Sequence, residues 1–84
     1  MQADNLQPAW VSRQVAAVLA EFHGRIALMA PADEKQALAE FERSMAIYPT
    51  AENASLCPLA TLYRNHGRQL EYEQLVTRYG EPCG

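Results

Sequence analysis

The sequence predicts an all-α fold of four short helices that pack as two antiparallel hairpins. Apolar residues recur at spacings of three and four in four segments, and glycine and proline separate these segments. The sequence has no alternating run of β-branched residues and no two-residue hairpin turn. A chain of 84 residues holds one domain, which we place at residues 9–80, between tails at residues 1–8 and 81–84. A plain four-helix bundle is the alternative arrangement.

The first helix is predicted to start at Pro8, because proline fits the first turn of a helix. Pro31 is expected to end it. Gly24 marks either a weak point or a place where another backbone comes close. Seven apolar residues form one stripe of this helix, which we expect the other helices to cover: Val11, Val15, Val18, Leu19, Phe22, Ile26 and Met29.

The second helix is expected to carry Asp33 and Glu34 in its first turn, where negative charge faces the positive end of the helix dipole. Pro49 stops it. Its apolar stripe is formed by Ala37, Leu38, Phe41, Met45 and Tyr48.

The third helix has three candidate N-caps, Thr50, Asn53 and Ser55. If Ser55 is the cap, Pro58 lies in the first turn and costs little, whereas a start at Ala51 would place Pro58 inside the helix and kink it. Its stripe is formed by Leu56, Leu59, Ala60 and Tyr63, and Gly67 is expected to close it.

The fourth helix is predicted from about Gln69 to Tyr79, with Gly80 just past its end. Its apolar residues are Leu70, Leu75, Val76 and Tyr79.

Two stretches resemble parts of a tetratricopeptide repeat. The first is DEKQALAEFERSMAIYP, residues 33–49. The second helix of that motif has a small, an aromatic and a small residue where this stretch has Ala37, Phe41 and Ser44, and Pro49 matches its closing proline. The next stretch is similar to the first helix of a following repeat, through Leu56, Leu59, Ala60, Tyr63 and Gly67. The resemblance covers about half of the chain and implies antiparallel helical hairpins.

The charge balance argues against nucleic acid as a partner. Ten acidic residues against seven scattered basic ones give a net charge of −3, which leaves no basic surface for a phosphate backbone. No apolar run approaches the ~20 residues that span a bilayer, and the first ten residues lack the features of a signal peptide. We therefore expect no membrane partner and a cytoplasmic location.

Two cysteines, Cys57 and Cys83, are too few for a disulfide scaffold, and in a reducing compartment each is expected to be a free thiol. One disulfide remains open if the protein is exported. If Ser55 caps the third helix, the pKa of the Cys57 thiol could be lowered at the amide-rich helix start, which would make it reactive. The alternative is a small core residue.

No residue pattern indicates catalysis, a metal or a cofactor. The only soft ligands are Cys57, Cys83, His23 and His66, and no pair has the short spacing of a zinc site. The sequence also lacks a glycine-rich phosphate loop and a nucleophile elbow. We therefore expect a protein that is not an enzyme.

The leading functional hypothesis is a small protein–protein interaction module: an adaptor, chaperone-like or inhibitor protein that presents a helical face to a protein partner. The resemblance implies a groove-facing set of partner-binding residues, for which a solvated polar face is the alternative: Cys57, Thr61, Arg64, Asn65 and, beyond the turn, Arg68.

Two other classes remain. A helix-turn-helix regulator would use the turn at Gly67, although the helix after it carries Glu71 and Glu73 with only Arg78 as a base. The second class is a homo-oligomeric structural protein.

A core of this size rarely contributes more than about 3–5 kcal/mol to the stability of the fold. Either very regular packing or a partner surface, including that of a second copy, therefore supplies the remaining stability.

Overall fold

The computed structural model describes residues 9–29 and 31–83, and the side chains of residues 12–29 and 31–83. Within this part of the chain it contains four helices and no strand, which confirms the all-α prediction: α1 (Ala9–Ala27), α2 (Glu34–Ile47), α3 (Leu56–Asn65) and α4 (Gln69–Tyr79). The predicted tail at residues 1–8 lies outside the described residues. None of the described helices is long and apolar enough to cross a membrane.

Consecutive helices are neighbours in space. α1 packs on α2, α2 on α3 and α3 on α4, and no other pair of described helices brings Cα atoms within 8 Å. Gln14 of α1 donates a hydrogen bond to the Tyr48 hydroxyl just past the end of α2, at 3.0 Å. Glu34 at the start of α2 lies 2.8 Å from His66 at the end of α3. These contacts make the α1–α2 and α2–α3 pairs antiparallel. The α3–α4 pair is antiparallel as well, because Cys57 at the start of α3 and Cys83 after α4 have Cα atoms 4.7 Å apart, and the stack is open between α2 and α4.

The start of α2 is fixed by a side-chain cap. Asp33 is the N-cap residue, and its carboxylate accepts a hydrogen bond from the Gln36 amide at 3.0 Å. The predicted stripe of α2 is confirmed, because Ala37, Phe41 and Met45 are buried.

The ends of α3 also follow from local sequence. With Ser55 at the N-cap, Pro58 is the third residue of the helix, where a missing N–H costs little. At the other end Gly67 adopts a left-handed conformation with φ of 69°, and the Arg68 amide donates to the Tyr63 carbonyl at 2.8 Å. This is a Schellman motif, which satisfies carbonyls that the helix leaves free.

A buried polar network joins α1, α2 and the loop before α3. The Asn53 side-chain amide donates to the carbonyls of Ser44 at 3.1 Å and Tyr48 at 3.0 Å, and its oxygen accepts from the Ser55 amide at 2.8 Å. The Ser44 hydroxyl donates to the Ala17 carbonyl at 2.8 Å. Asn53 therefore closes the end of α2 and also provides, through its bond to the Ser55 amide, the side-chain cap at the start of α3. Ser55 occupies the N-cap position but makes no side-chain cap bond.

The core lies between α2 and α3, and its buried members are Ala37, Phe41, Met45, Leu56, Leu59, Leu62 and Tyr63. α4 has no buried residue. It covers the core with half-buried side chains, Tyr72, Leu75 and Tyr79, while Leu70, predicted to belong to its apolar stripe, is 67% exposed. The fourth helix is thus the least anchored element.

A disulfide joins Cys57, in the first turn of α3, to Cys83, which follows α4. The Cα atoms lie 4.7 Å apart. The expectation of two free thiols is therefore wrong, and the hypothesis of a reactive Cys57 thiolate is wrong with it. Disulfides persist mainly in oxidising compartments, and a cytoplasmic location was predicted together with two free thiols. That location stays a prediction, and the disulfide does not support it.

Candidate interaction surface

α1 packs against α2 through its small residues, not through its large ones. Ala17 and Ala20 are buried, and so is Gly24. The expectation that the other helices cover the large apolar stripe is wrong for every member whose side chain is described. Val15, Leu19, Phe22, Ile26 and Met29 are 53–65% exposed, and Val18 is 44% exposed.

The reason for this orientation is the Phe41 ring of α2, which is fully buried. A Cβ atom added at Gly24 would lie 2.7 Å from the Cε1 atom of that ring, which is well inside van der Waals contact. Of the two interpretations of Gly24, a close approach is the right one, although the approaching group is a ring rather than a backbone. Only a surface of small residues lets α1 come this near to α2.

The exposed apolar residues of α1 form a continuous surface, which we name the outer stripe: Val15, Val18, Leu19, Phe22 and Ile26, with Met29 just past the end of the helix. From their fractional exposures, these side chains present on the order of 600 Å² of surface, at the upper end of what a monomer normally exposes in one patch. A patch of this size makes the outer stripe a candidate binding surface.

The outer stripe has a hollow at one end and little net charge at its edges. The hollow measures about 220 Å³ and is lined by Gln14, Val15, Val18 and Leu19. Along one edge, Arg25 is paired with Glu21 of the same helix at 2.7 Å. The surface is therefore apolar with an electrically balanced rim.

The predicted partner-binding residues lie on or next to α3 but do not form one cluster. Thr61, Arg64 and Asn65 are exposed, as expected from periodicity. Thr61 donates to the Cys57 carbonyl at 3.0 Å, and Cys57 is held in the disulfide. Their part in binding stays a prediction.

Arg64 and Arg68 are already engaged within the chain. The Arg64 guanidinium lies 5.4 Å from the centroid of the Tyr72 ring, and that of Arg68 lies 4.9 Å from the Tyr63 ring. Arg68 also donates to the Glu71 carboxylate at 2.9 Å and lies 3.7 Å from that of Glu42. Both arginines thus tie α3 and the turn after it to the neighbouring helices.

Arg68 belongs to a cluster with Tyr63, Glu42 and Glu71. The Tyr63 hydroxyl donates to the Glu42 carboxylate at 2.6 Å. Burial raises the pKa of Tyr63, and the hydrogen bond to Glu42 raises it further. The hydrogen bond from Arg68 lowers the pKa of Glu71, and Glu71 in turn raises the pKa of Arg68. These shifts keep Arg68 and Glu71 charged and the Tyr63 phenol protonated at neutral pH.

An open groove of about 490 Å³ follows the gap between α2 and α4, and Glu42, Tyr63 and Glu71 are among its lining residues. Of its charged lining residues, Glu42 and Glu71 have partners within the chain. Arg78 has no ion-pair partner among the described residues and lies 5.5 Å from the centroid of the Tyr79 ring. Within residues 9–29 and 31–83 no three His, Cys, Asp or Glu residues stand together as metal ligands. The groove therefore offers an open shape and one cationic side chain, that of Arg78.

Sequence reasoning found the residues of the outer stripe but assigned them to the core. A signal for the correct assignment was present, because Ala17, Ala20, Gly24 and Ala27 recur at spacings of three and four on the opposite side of α1. Small residues at this spacing are typical of a helix that packs closely against another.

The chain matches no protein-family model, no curated protein and no solved structure. The resemblance to tetratricopeptide repeats therefore depends on the residues quoted for it alone.

Proposed function

We propose that this protein is a small protein–protein interaction module whose contact surface is the outer stripe of α1. The observation that carries the proposal is the exposure of five large apolar side chains by more than half, four on α1 and Met29 just past its end, while the opposite side of the helix packs on α2. Complete burial of a fully exposed large apolar side chain contributes about 1.5–3 kcal/mol, and covering the half-exposed side chains of the stripe would contribute part of that for each.

The placement of α1 supports this function. Because α2 positions α1 through Ala17, Ala20 and Gly24, the outer stripe is presented on a fixed scaffold. A preformed surface loses little conformational freedom when a partner binds. Aromatic anchors such as Phe22 are typical of the residues that dominate binding energy.

The test is native mass spectrometry of tagged chains isolated from the source cells. We expect the wild type to carry a stoichiometric protein partner, which is either another protein or a second copy. Phe22→Glu should lose this partner, because a charge in the middle of the stripe cannot be buried without a large desolvation cost.

Leu70→Glu is the matched control, since Leu70 is exposed to a similar extent on α4 and is not part of the outer stripe. It should keep the partner. Recovery of the same complex with Phe22→Glu, or a wild type that carries no protein partner, would refute the proposed function.

A further inference from the structure

We propose that the occupant of the outer stripe is a second copy of this chain, so that two α1 helices pair in a homodimer. This inference rests on the proposed function and deepens it by naming the partner. Four features of the stripe support it: its period, its hollow, its rim and its area.

The apolar residues of the stripe are spaced as in a helix that packs along a second helix. Val15, Leu19, Phe22 and Ile26 are separated by four, three and four residues, and Met29 continues the pattern after another three. Alternating spacings of four and three keep one seam of a helix facing a partner helix along its length. The partner must carry the same period, and a second copy does so.

The hollow fits the packing of such a pair. In helix pairs of this type a side chain from one helix enters a hole formed by four residues of the other. Val15, Val18 and Leu19 line the 220 Å³ hollow and occupy three of the four positions of such a hole. Phe22 or Met29 of a second copy provides a side chain large enough to fill it.

The rim of the stripe allows two identical surfaces to meet. Arg25 is neutralised by Glu21, and the other edge carries Ala16 and His23. No excess of one charge sign would repel a second copy, and none would select a partner of opposite charge. A lipid surface would instead favour a helix rich in Lys and Arg on its polar face, whereas α1 carries one acidic and two basic residues.

The apolar area of the stripe approaches what a stable interface buries. The stripe offers on the order of 600 Å² per chain from its apolar side chains alone, and a stable interface buries about 800 Å² per partner. The remaining area is available from the side chains along its two edges.

The test is sedimentation equilibrium of the purified full chain. We expect a mass of twice 9.4 kDa, and we expect Phe22→Glu to weaken dimerisation by on the order of 100-fold or more. Leu70→Glu should dimerise like the wild type. Circular dichroism of Phe22→Glu should remain that of the wild type, and Val15→Glu provides a second variant of the stripe.

A wild type that remains monomeric up to about 1 mM would overturn the inference, as would normal dimerisation of both stripe variants. So would a monomer that floats with vesicles of phosphatidylcholine and phosphatidylglycerol, which would identify a lipid surface as the occupant. A monomer that nevertheless loses a different cellular partner on Phe22→Glu would refute the second copy and leave the proposed function standing. A monomer without any partner would refute both.

Discussion

The orientation of α1 depends on a single residue, Gly24, which lies against the Phe41 ring. In an exposed helix, replacing glycine by alanine stabilises by about 1 kcal/mol. Here the added Cβ would lie 2.7 Å from the buried Phe41 ring, and overpacking of this kind costs about 1–3 kcal/mol. We expect Gly24→Ala to lower the free energy of unfolding, measured by denaturant titration.

A double-mutant cycle provides the control for this prediction. Phe41→Leu removes Cε1 and Cζ, two of the three ring atoms that the new Cβ would meet, so Gly24→Ala should be less destabilising in that background than in the wild type. A Gly24→Ala variant more stable than the wild type would contradict the close approach of the ring.

Tyr63 makes the stability of the protein depend on pH on the alkaline side. Its pKa in the folded state is raised above the ordinary value of about 10, first by burial and then by the bond to Glu42. The folded state therefore holds the phenol proton more tightly than the unfolded state. The resulting stabilisation is fully present below pH ~10 and is lost as pH rises toward the folded-state pKa.

We expect the difference in free energy of unfolding between the wild type and Tyr63→Phe to shrink as pH rises above about 10. Denaturant titrations at a series of alkaline pH values measure it. Taking the difference removes the contributions of groups that both proteins share. A difference that stays constant across this range would contradict the raised pKa.

At the scale of elements, α4 depends on its disulfide more than on its own packing. None of its residues is buried, and the Cys57–Cys83 bond ties the segment after it back to the start of α3. Because the bond closes a loop over a separation of 26 residues, the chain-entropy model gives a stabilisation of about 3–4 kcal/mol.

We expect the double variant Cys57→Ser with Cys83→Ser to accelerate amide hydrogen exchange in α4 more than in α2 or α3. Reduction of the wild type should reproduce the pattern, which serves as the control because it changes no side chain other than the two thiols. Equal acceleration in all helices, or none in α4, would show that packing rather than the disulfide holds this helix.

At the scale of the whole molecule, stability and association are coupled if the outer stripe binds a second copy. Since a dimer is favoured by concentration, the thermal midpoint of the wild type should rise by roughly 3–6 °C for each tenfold increase in protein concentration. Calorimetry over a range of concentrations measures it.

Phe22→Glu should show no such dependence, because this variant is expected to remain monomeric. Its midpoint at low concentration should be close to that of the dissociated wild type, since Phe22 is 54% exposed and lies on the side of α1 away from α2. A concentration-independent midpoint for the wild type would contradict the coupling.

The sequence by itself predicted the bounds of α2 and α4 and the end of α3. The predicted end of α1 at Pro31 is wrong, because the helix ends at Ala27. Asp33, Pro58, Gly67 and Gly80 act on backbone groups within a few residues of themselves, so their effect can be read without knowing what packs nearby. The buried stripes of α2 and α3 were also predicted correctly, because each of these helices has only one apolar side.

Only the tertiary structure decided which side of α1 faces inward and whether the two cysteines form a disulfide. α1 has two sides that can pack, one of large residues and one of Ala and Gly, and the choice depends on the space that Phe41 leaves. The disulfide depends on α4 returning antiparallel to α3, which brings together residues that are distant in the chain. Both outcomes follow from contacts between helices. The small residues of α1 are visible in the sequence, but their spacing alone does not decide which of its two sides packs inward.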